Sequence, residues 1–255
     1  MSSDRESAPT VLIAVATFNE IDNLPLLVAE IMSAVPDADI LVVDDDSPDG
    51  TGQWCQQFSV EQPRFRSLHR SRGAGLGTAI VAAMKYGIEQ NYDLLVNLDA
   101  DFSHTPKKIV DLLAATQSTD ADIIVGSRYI AGGGVEGWPL HRRIMSRCIN
   151  LYTRVLMRLP IHDCSGSFRC YRVATLRKLD FDSIVSKGYS FFEEILWRLR
   201  LQGATFQEVP YVFVERERGY SKINWREAVR AIYLIGRLGL GSIFERRPTS
   251  SSKPE

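Results

Sequence analysis

Sulfur, surplus charge and long apolar runs are all scarce in this chain. Its 255 residues include 4 cysteines. Cys55, Cys148, Cys164 and Cys170 form no CxxC pair and have no histidine nearby at ligand spacing. They therefore read as reduced cytosolic thiols, not as a disulfide framework or a zinc site. With 30 basic and 31 acidic residues the formal net charge is -1. That leaves no broad positive field, so no nucleic-acid partner is expected. No window approaches the ~18 continuous apolar residues that a membrane span needs. The polar opening MSSDRESAP lacks the apolar stretch of a signal peptide. There is no internal repeat and no linker that would split the chain.

What is present is ordinary for a folded protein: 45% hydrophobic and 24% charged residues, enough to bury one substantial core. The first half alternates short apolar strands with helical periods. Strands are expected at 11–16, 38–43, 65–69, 93–98 and 122–126. Helices are expected at 24–35, at 52–58 with Thr51 or Asp49 as cap, at 73 to about 90, and at 107–115. Repeated β-α units predict a parallel sheet with helices on both faces. The second half predicts an amphipathic helix at 141–159. Ile144, Cys148, Leu151, Val155 and Leu159 share one side, and Arg143, Arg147, Arg154 and Arg158 share another. Further elements fall at 169–179 and 191–201. A late strand at 206–214 is expected at a sheet edge because it contains Pro210. A basic loop at 216–222 and a second amphipathic segment at 225–244 follow. Residues 248–255 read as a disordered tail.

The chemistry concentrates at residues 93–106, DLLVNLDADFSHTP. Leu94, Leu95 and Val96 read as a central strand buried on both faces. Asp99 and Asp101 follow at its C-terminal end, where open α/β sheets hold their ligands. Two adjacent carboxylates repel each other unless a cation lies between them, and hard oxygen ligands favour Mg²⁺ or Mn²⁺. Arg128 follows the fifth strand at the same edge and could grip a phosphate. Arg216, Arg218, Ser221 and Lys222 form a compact loop suited to closing on phosphates. Asp44, Asp45 and Asp46 follow the second strand. They suit either an Asx-type turn or carboxylates that accept from a nucleobase edge or ribose. The GAGLG at 73–77 has the wrong spacing and place for a dinucleotide fingerprint. It reads as a tight turn or an anion-binding helix start. Acidic residues after two strands also allow a second reading, a phospho-receiver module with Asp99 as acceptor. A complete strand and helix ahead of the acidic strand, and the extra Asp101, count against it.

VATFNE, VVDDDSPDGT, LDADFSHTP, GSRY, SGSFRCYR, GYSFFEEILWR and RERGYSK occur in an order that resembles the family 2 glycosyltransferases, most closely the dolichol- or polyprenol-phosphate mannosyltransferases. The resemblance runs from about residue 11 to 223. It implies a GT-A fold, with residues 1–8 outside it, a catalytic domain at 9–223 and a possible interfacial helix at 224–247. It implies transfer, with inversion, from a nucleotide sugar such as GDP-mannose, with Mg²⁺ or Mn²⁺. The acceptor would be a polyprenyl or dolichyl phosphate at the cytosolic face of a membrane, reached peripherally or through a small membrane-anchoring subunit. Glucose, or another sugar from a UDP donor, is the alternative within the family. By position, Thr17, Asn19, Glu20, Asp44 and Asp45 would hold the nucleoside. Asp99 and Asp101 would bind the ion and, through it, the diphosphate, with Ser103 at a further ligand position. Arg128, Arg218 and Lys222 would face the phosphates, with Ser221 and Glu194 beside the acceptor. Phe192-Glu193 stands where the family more commonly has Gln-Ile.

Overall fold

The computed structural model describes residues 8–71, 75–186, 188, 190–215 and 225–244. Their order is β1 (Val11–Thr17), α1 (Leu24–Ala34), β2 (Asp39–Asp44), α2 (Thr51–Glu61), β3 (Phe65–His69), α3 (Leu76–Glu89), β4 (Leu94–Asp99), α4 (Ile109–Ser118) and β5 (Ile123–Ser127). Then come β6 (Gly134–Glu136), α5 (Leu140–Leu156), β7 (Arg169–Arg172), α6 (Val173–Leu176), α7 (Phe191–Leu201), β8 (Phe206–Pro210), β9 (Val212–Val214) and α8 (Trp225–Phe244).

Seven strands form one sheet in the order β3-β2-β1-β4-β7-β5-β8. All neighbours are parallel except β7, which runs antiparallel between β4 and β5. The expected mostly parallel sheet is therefore present. Successive residues of a strand point to opposite faces, and both faces of β1 are apolar. Leu12 and Ala14 pack with Ala79 and Ile80 of α3 and with Phe191 and Ile195 of α7. Ile13 and Val15 pack with Leu24 and Leu27 of α1 and with Ile109 and Leu112 of α4. Apolar runs with no polar face can only be interior strands, which is why they were readable.

The second half departs from its expected outline. The 169–179 segment splits into a strand and a short helix, with Cys170 and Tyr171 buried on opposite faces. The 206–214 segment divides into β8, which carries Pro210 at the sheet edge as expected, and β9, which pairs with β6 in a separate ribbon.

Helix α5 has the two unlike sides expected of it. On its apolar side Ile144, Leu151 and Val155 are 54%, 59% and 64% exposed, and Cys148 is exposed too. Polar Asn150 and Thr153 are buried instead. Asn150 Nδ2 donates to Ser165 Oγ at 3.1 Å, and its Oδ1 accepts from the Cys164 and Ser165 N–H groups at 2.7 and 3.2 Å. α5 thus hydrogen-bonds its inner side to a loop and turns its apolar side outward. Helix α8 packs on α5, with Gly236 against Tyr152 and Gly239 against Leu156. Val229, Ile232, Tyr233 and Leu240 of α8 are also exposed. No helix among the described residues is long and apolar enough to cross a membrane.

Candidate active site

The strand order reverses between β1 and β4, and the crevice beyond their C-terminal ends is where such sheets bind ligands. In register, Ala16 lies opposite Asp99, and Thr17 opposite Asp44. The expected residues Thr17, Asn19, Glu20, Asp44, Asp45, Asp99 and Asp101 therefore gather on one rim.

On the β1–β2 side, Asp44 is almost fully buried and organises the rim from within. Its Oδ1 accepts from Thr17 Oγ1 at 3.2 Å and Ser47 Oγ at 2.5 Å, while Oδ2 accepts from Ser47 N at 3.1 Å. Ser47 Oγ in turn accepts from the N–H of Asn19 at 2.9 Å, and Asn19 holds a left-handed φ of 59°. Glu20 donates its N–H to Thr51 Oγ1 at 3.1 Å. Helix α2 starts close beside this carboxylate, because a Cβ at Gly52 would lie 3.0 Å from Asp44 Oδ2 and 2.9 Å from His69. Its N-cap is Gly50, at φ 96°. Asp49 still serves the first turn, accepting from Thr51 N at 3.0 Å.

Asp45 faces Arg70, with Nε 3.1 Å from Oδ1. Burial raises the Asp45 carboxyl above its ordinary value, although Arg70 and the Gly75 backbone N–H both oppose this. The anion met by this part of the glycine-rich segment is thus the chain's own carboxylate. Gly77, farther on, packs its α-carbon face against Phe191, as a close-packing glycine does.

On the β4 side, Asp99 Oδ1 accepts from Ser167 Oγ at 2.8 Å. The N–H of Asp99 donates to His104 Nδ1 at 3.1 Å. His104 is buried and stacks on Phe168 at 5.1 Å. Burial lowers its pKa, so the ring stays neutral. Phe102 takes a left-handed φ of 60°. The chain folds back there, and the Ser103 N–H donates to Asp101 Oδ1 at 3.1 Å. Ser103 Oγ is buried and has no hydrogen-bond partner. Among the described residues no group of three or more His, Cys, Asp and Glu side chains is placed to hold a metal. Two carboxylates and one unsatisfied hydroxyl nonetheless fit a hard cation that takes its remaining ligands from phosphates and water.

Two expectations meet a different geometry, and a third falls outside the described residues. Arg128 is buried and closes on Asp163: Nε to Oδ2 and Nη2 to Oδ1 are both 2.7 Å. Nη2 also reaches Ser165 Oγ at 3.0 Å. Arg128 therefore braces the rim and does not present this fork to a phosphate. Burial pushes the Asp163 carboxyl up, but Arg128 outweighs it and holds the group below its ordinary value. Glu194, expected beside the acceptor, is fully buried. It accepts from the Val185 and Ser186 N–H groups at 3.1 and 2.8 Å and from Arg198 Nε at 2.7 Å. It fastens the preceding turn to α7. Arg218, Ser221 and Lys222 lie outside the described residues.

Ser167 and His104 fall inside the motifs SGSFRCYR and LDADFSHTP but have no role assigned from the sequence, and Asp163 lies outside those motifs. The HDCSGS stretch, polar and glycine-containing next to a buried strand, was the available signal for Asp163 and Ser167.

The fold is of GT-A type, with polar turns after β1 and β2 and paired carboxylates at the end of β4 gathered on one rim. The chain belongs to glycosyl transferase family 2, whose model matches residues 12–180, and it is a glycosyltransferase. It is 42% identical over 235 residues to an undecaprenyl-phosphate mannosyltransferase of Micrococcus luteus, covering 92% of this chain and 96% of that one. It is 39% identical over 236 residues to a polyprenol monophosphomannose synthase of Mycolicibacterium smegmatis, covering 92% and 89%. In fold it is similar to glucosyl-3-phosphoglycerate synthase of Mycobacterium tuberculosis, solved with Mn²⁺, UDP and phosphoglyceric acid. The TM-score is 0.65 at 13% identity, covering 94% of this chain and 81% of that one. A mannosyltransferase of Pyrobaculum calidifontis, in complex with GDP-Man and Mn²⁺, aligns with TM-score 0.57 at 16% identity, covering 91% and 70%. The phospho-receiver reading is overturned by the family match and by the strand order, since receivers are built 2-1-3-4-5.

Proposed function

We propose that this glycosyltransferase moves mannose from GDP-mannose to a polyprenyl phosphate, with inversion, at the cytosolic face of a membrane. The observation that carries the reading is the end of β4, where Asp99 and Asp101 are followed by Ser103, whose buried hydroxyl has no partner. Two relatives of about this length that are named for the same transfer support the acceptor and the sugar.

The chemistry an Mg²⁺ or Mn²⁺ ion supplies there is neutralisation of charge gathering on the departing nucleoside diphosphate. Asp99 and Asp101 would hold it, and Ser103 Oγ would offer a third oxygen. Ser167 and His104 orient Asp99 from its side chain and its backbone. Thr17, Asn19, Glu20, Asp44 and Asp45 shape the nucleoside end. The acceptor is a phosphate monoester with a second pKa of about 6, already a nucleophile at neutral pH. It needs no general base, so the protein's task is to bring two anions together. Arg218 and Lys222 are assigned to offset that repulsion, with Ser221 beside the acceptor, and in-line attack at the anomeric carbon gives a β-linked product from an α-linked donor.

The outward apolar side of α5, together with the exposed apolar residues of α8, supports attachment to a membrane surface. Leu140, Ile144, Met145, Leu151 and Val155 are exposed there. Arg143, Arg147 and Arg158 are exposed on the same helix and its end, as suits an anionic lipid surface.

The test is transfer of label from GDP-mannose, and in parallel from UDP-glucose, to short polyprenyl phosphates with Mn²⁺. Label in the lipid phase from GDP-mannose alone is expected. Transfer only from the UDP donor, or to none of the lipid phosphates, overturns the reading.

A further inference from the structure

Glu193, in the first turn of α7, is a carboxylic acid buried without a partner for Oε2. Its side chain is only 5% exposed. Arg169, fully buried at the start of β7, has an unpartnered Nε. The other Arg169 donors bridge two segments. Nη1 donates to Phe192 O at 2.8 Å, and Nη2 donates to Cys164 O at 2.7 Å. The first of these is the residue before Glu193. The second belongs to the turn that carries Asp163 to Arg128 and Ser167 to Asp99. A single guanidinium thus couples α7 to the rim.

The charged and titratable groups facing Glu193 are Arg169, Asp163, Arg128 and the Cys164 thiol. Burial pushes the Glu193 carboxyl up to about 7, with Arg169 and Arg128 opposing and Asp163 assisting. Near neutrality both protonation states are therefore accessible. The neutral acid makes little electrostatic demand on its surroundings. The carboxylate attracts the Arg169 guanidinium and competes with the two carbonyls that it bridges.

We propose that Glu193 is a positioning residue acting through Arg169: protonated, it leaves the 163–167 turn seated against Asp99, and ionised, it draws the guanidinium away and loosens that seat. The proposal rests on the reading of Asp99 as a cation ligand, so one arm of the test is independent of that reading.

In the first arm, melting temperatures of the full chain, Glu193→Gln and Glu193→Ile are measured from pH 5 to 9. The raised pKa makes the acid favourable to folding below its unfolded value, and that benefit is lost as pH rises through the folded one. Both variants should gain on the parent as pH passes neutrality. In the second arm, Mn²⁺ binding in the presence of GDP is measured by calorimetry over the same range. The parent should lose affinity by roughly threefold for each half-unit difference in Glu193 pKa between bound and free states. Glu193→Gln, or Glu193→Ile if the amide does not fold, should stay flat. Parallel melting profiles overturn the proposal, because the acid then does not titrate in the folded chain. Diverging melts with the same pH dependence of Mn²⁺ affinity in parent and variant overturn the coupling. No Mn²⁺ binding at any pH removes the metal reading and the coupling with it, while the melts still decide whether Glu193 ionises.

Discussion

His104 accepts the backbone N–H of Asp99 through Nδ1 at 3.1 Å, five residues ahead of it in the fold of its own loop. The ring lies among aromatic neighbours, stacked on Phe168 and tilted against Tyr211. This bond exists only while Nδ1 is unprotonated, and burial keeps it so. The loop carrying both carboxylates is thus pinned by a neutral imidazole.

A depressed histidine pKa makes the unfolded chain the better proton acceptor in acid. Stability contributed by neutral His104 is complete above the ordinary value of 6.5 and declines as pH falls below it. Urea unfolding of the parent and His104→Asn at pH 5 and 7.5 checks this. The parent should lose more stability on acidification than the variant.

Ser103→Ala should separate binding from folding. The hydroxyl has no partner, so removing it costs little stability and can raise it. Its melting temperature should match or exceed the parent's, while the Mn²⁺ concentration needed for half-maximal transfer rises. Unchanged Mn²⁺ dependence would free Ser103 from any ligand role.

Asp101→Ala should abolish transfer with the fold intact, because the missing charge stands at the rim and not in a packed layer. Circular dichroism and a transfer assay at high Mn²⁺ test the two halves of that statement. Near-parent turnover would remove Asp101 from the chemistry.

Asp163→Ala leaves the Arg128 guanidinium buried and unpaired, at a cost of roughly 3–5 kcal/mol. Denaturant midpoints measure it. The pair's benefit to Asp163 is present above the ordinary carboxylate value of 3.8 and fades as pH falls through the lower folded value. A change under about 1 kcal/mol would mean that the rim does not depend on this pair.

Leu151→Ser with Val155→Ser should leave the melting temperature nearly unchanged, since both side chains already face outward. Flotation with anionic vesicles should fall. Equal recovery with the vesicles in parent and variant would dissociate this face from lipid.

The interior strands were legible because burial on two faces leaves an unbroken apolar signature, as in β1, β2 and β4. β7 was not, because Arg169 and Arg172 bound a strand of only four residues. The carboxylates after β4 were legible from their place behind such a run. Arg128's true partner was not, since Asp163 lies 35 residues away with no periodicity linking them. For α5, spacing revealed two unlike sides but not which one turns inward. Asn150 decided that by satisfying backbone donors of a distant loop.

The reversed direction of β7 has an architectural outcome. A strand laid head to tail among parallel neighbours starts where they finish, so the segment entering it joins the segments leaving β1, β2, β4 and β5. Phe168 seats that junction by resting on Gly126, where even a methyl would come within 2.5 Å of its ring. Insertions between α5 and β7 could thus remodel the catalytic mouth while every hydrogen-bonded ladder beneath it kept its register.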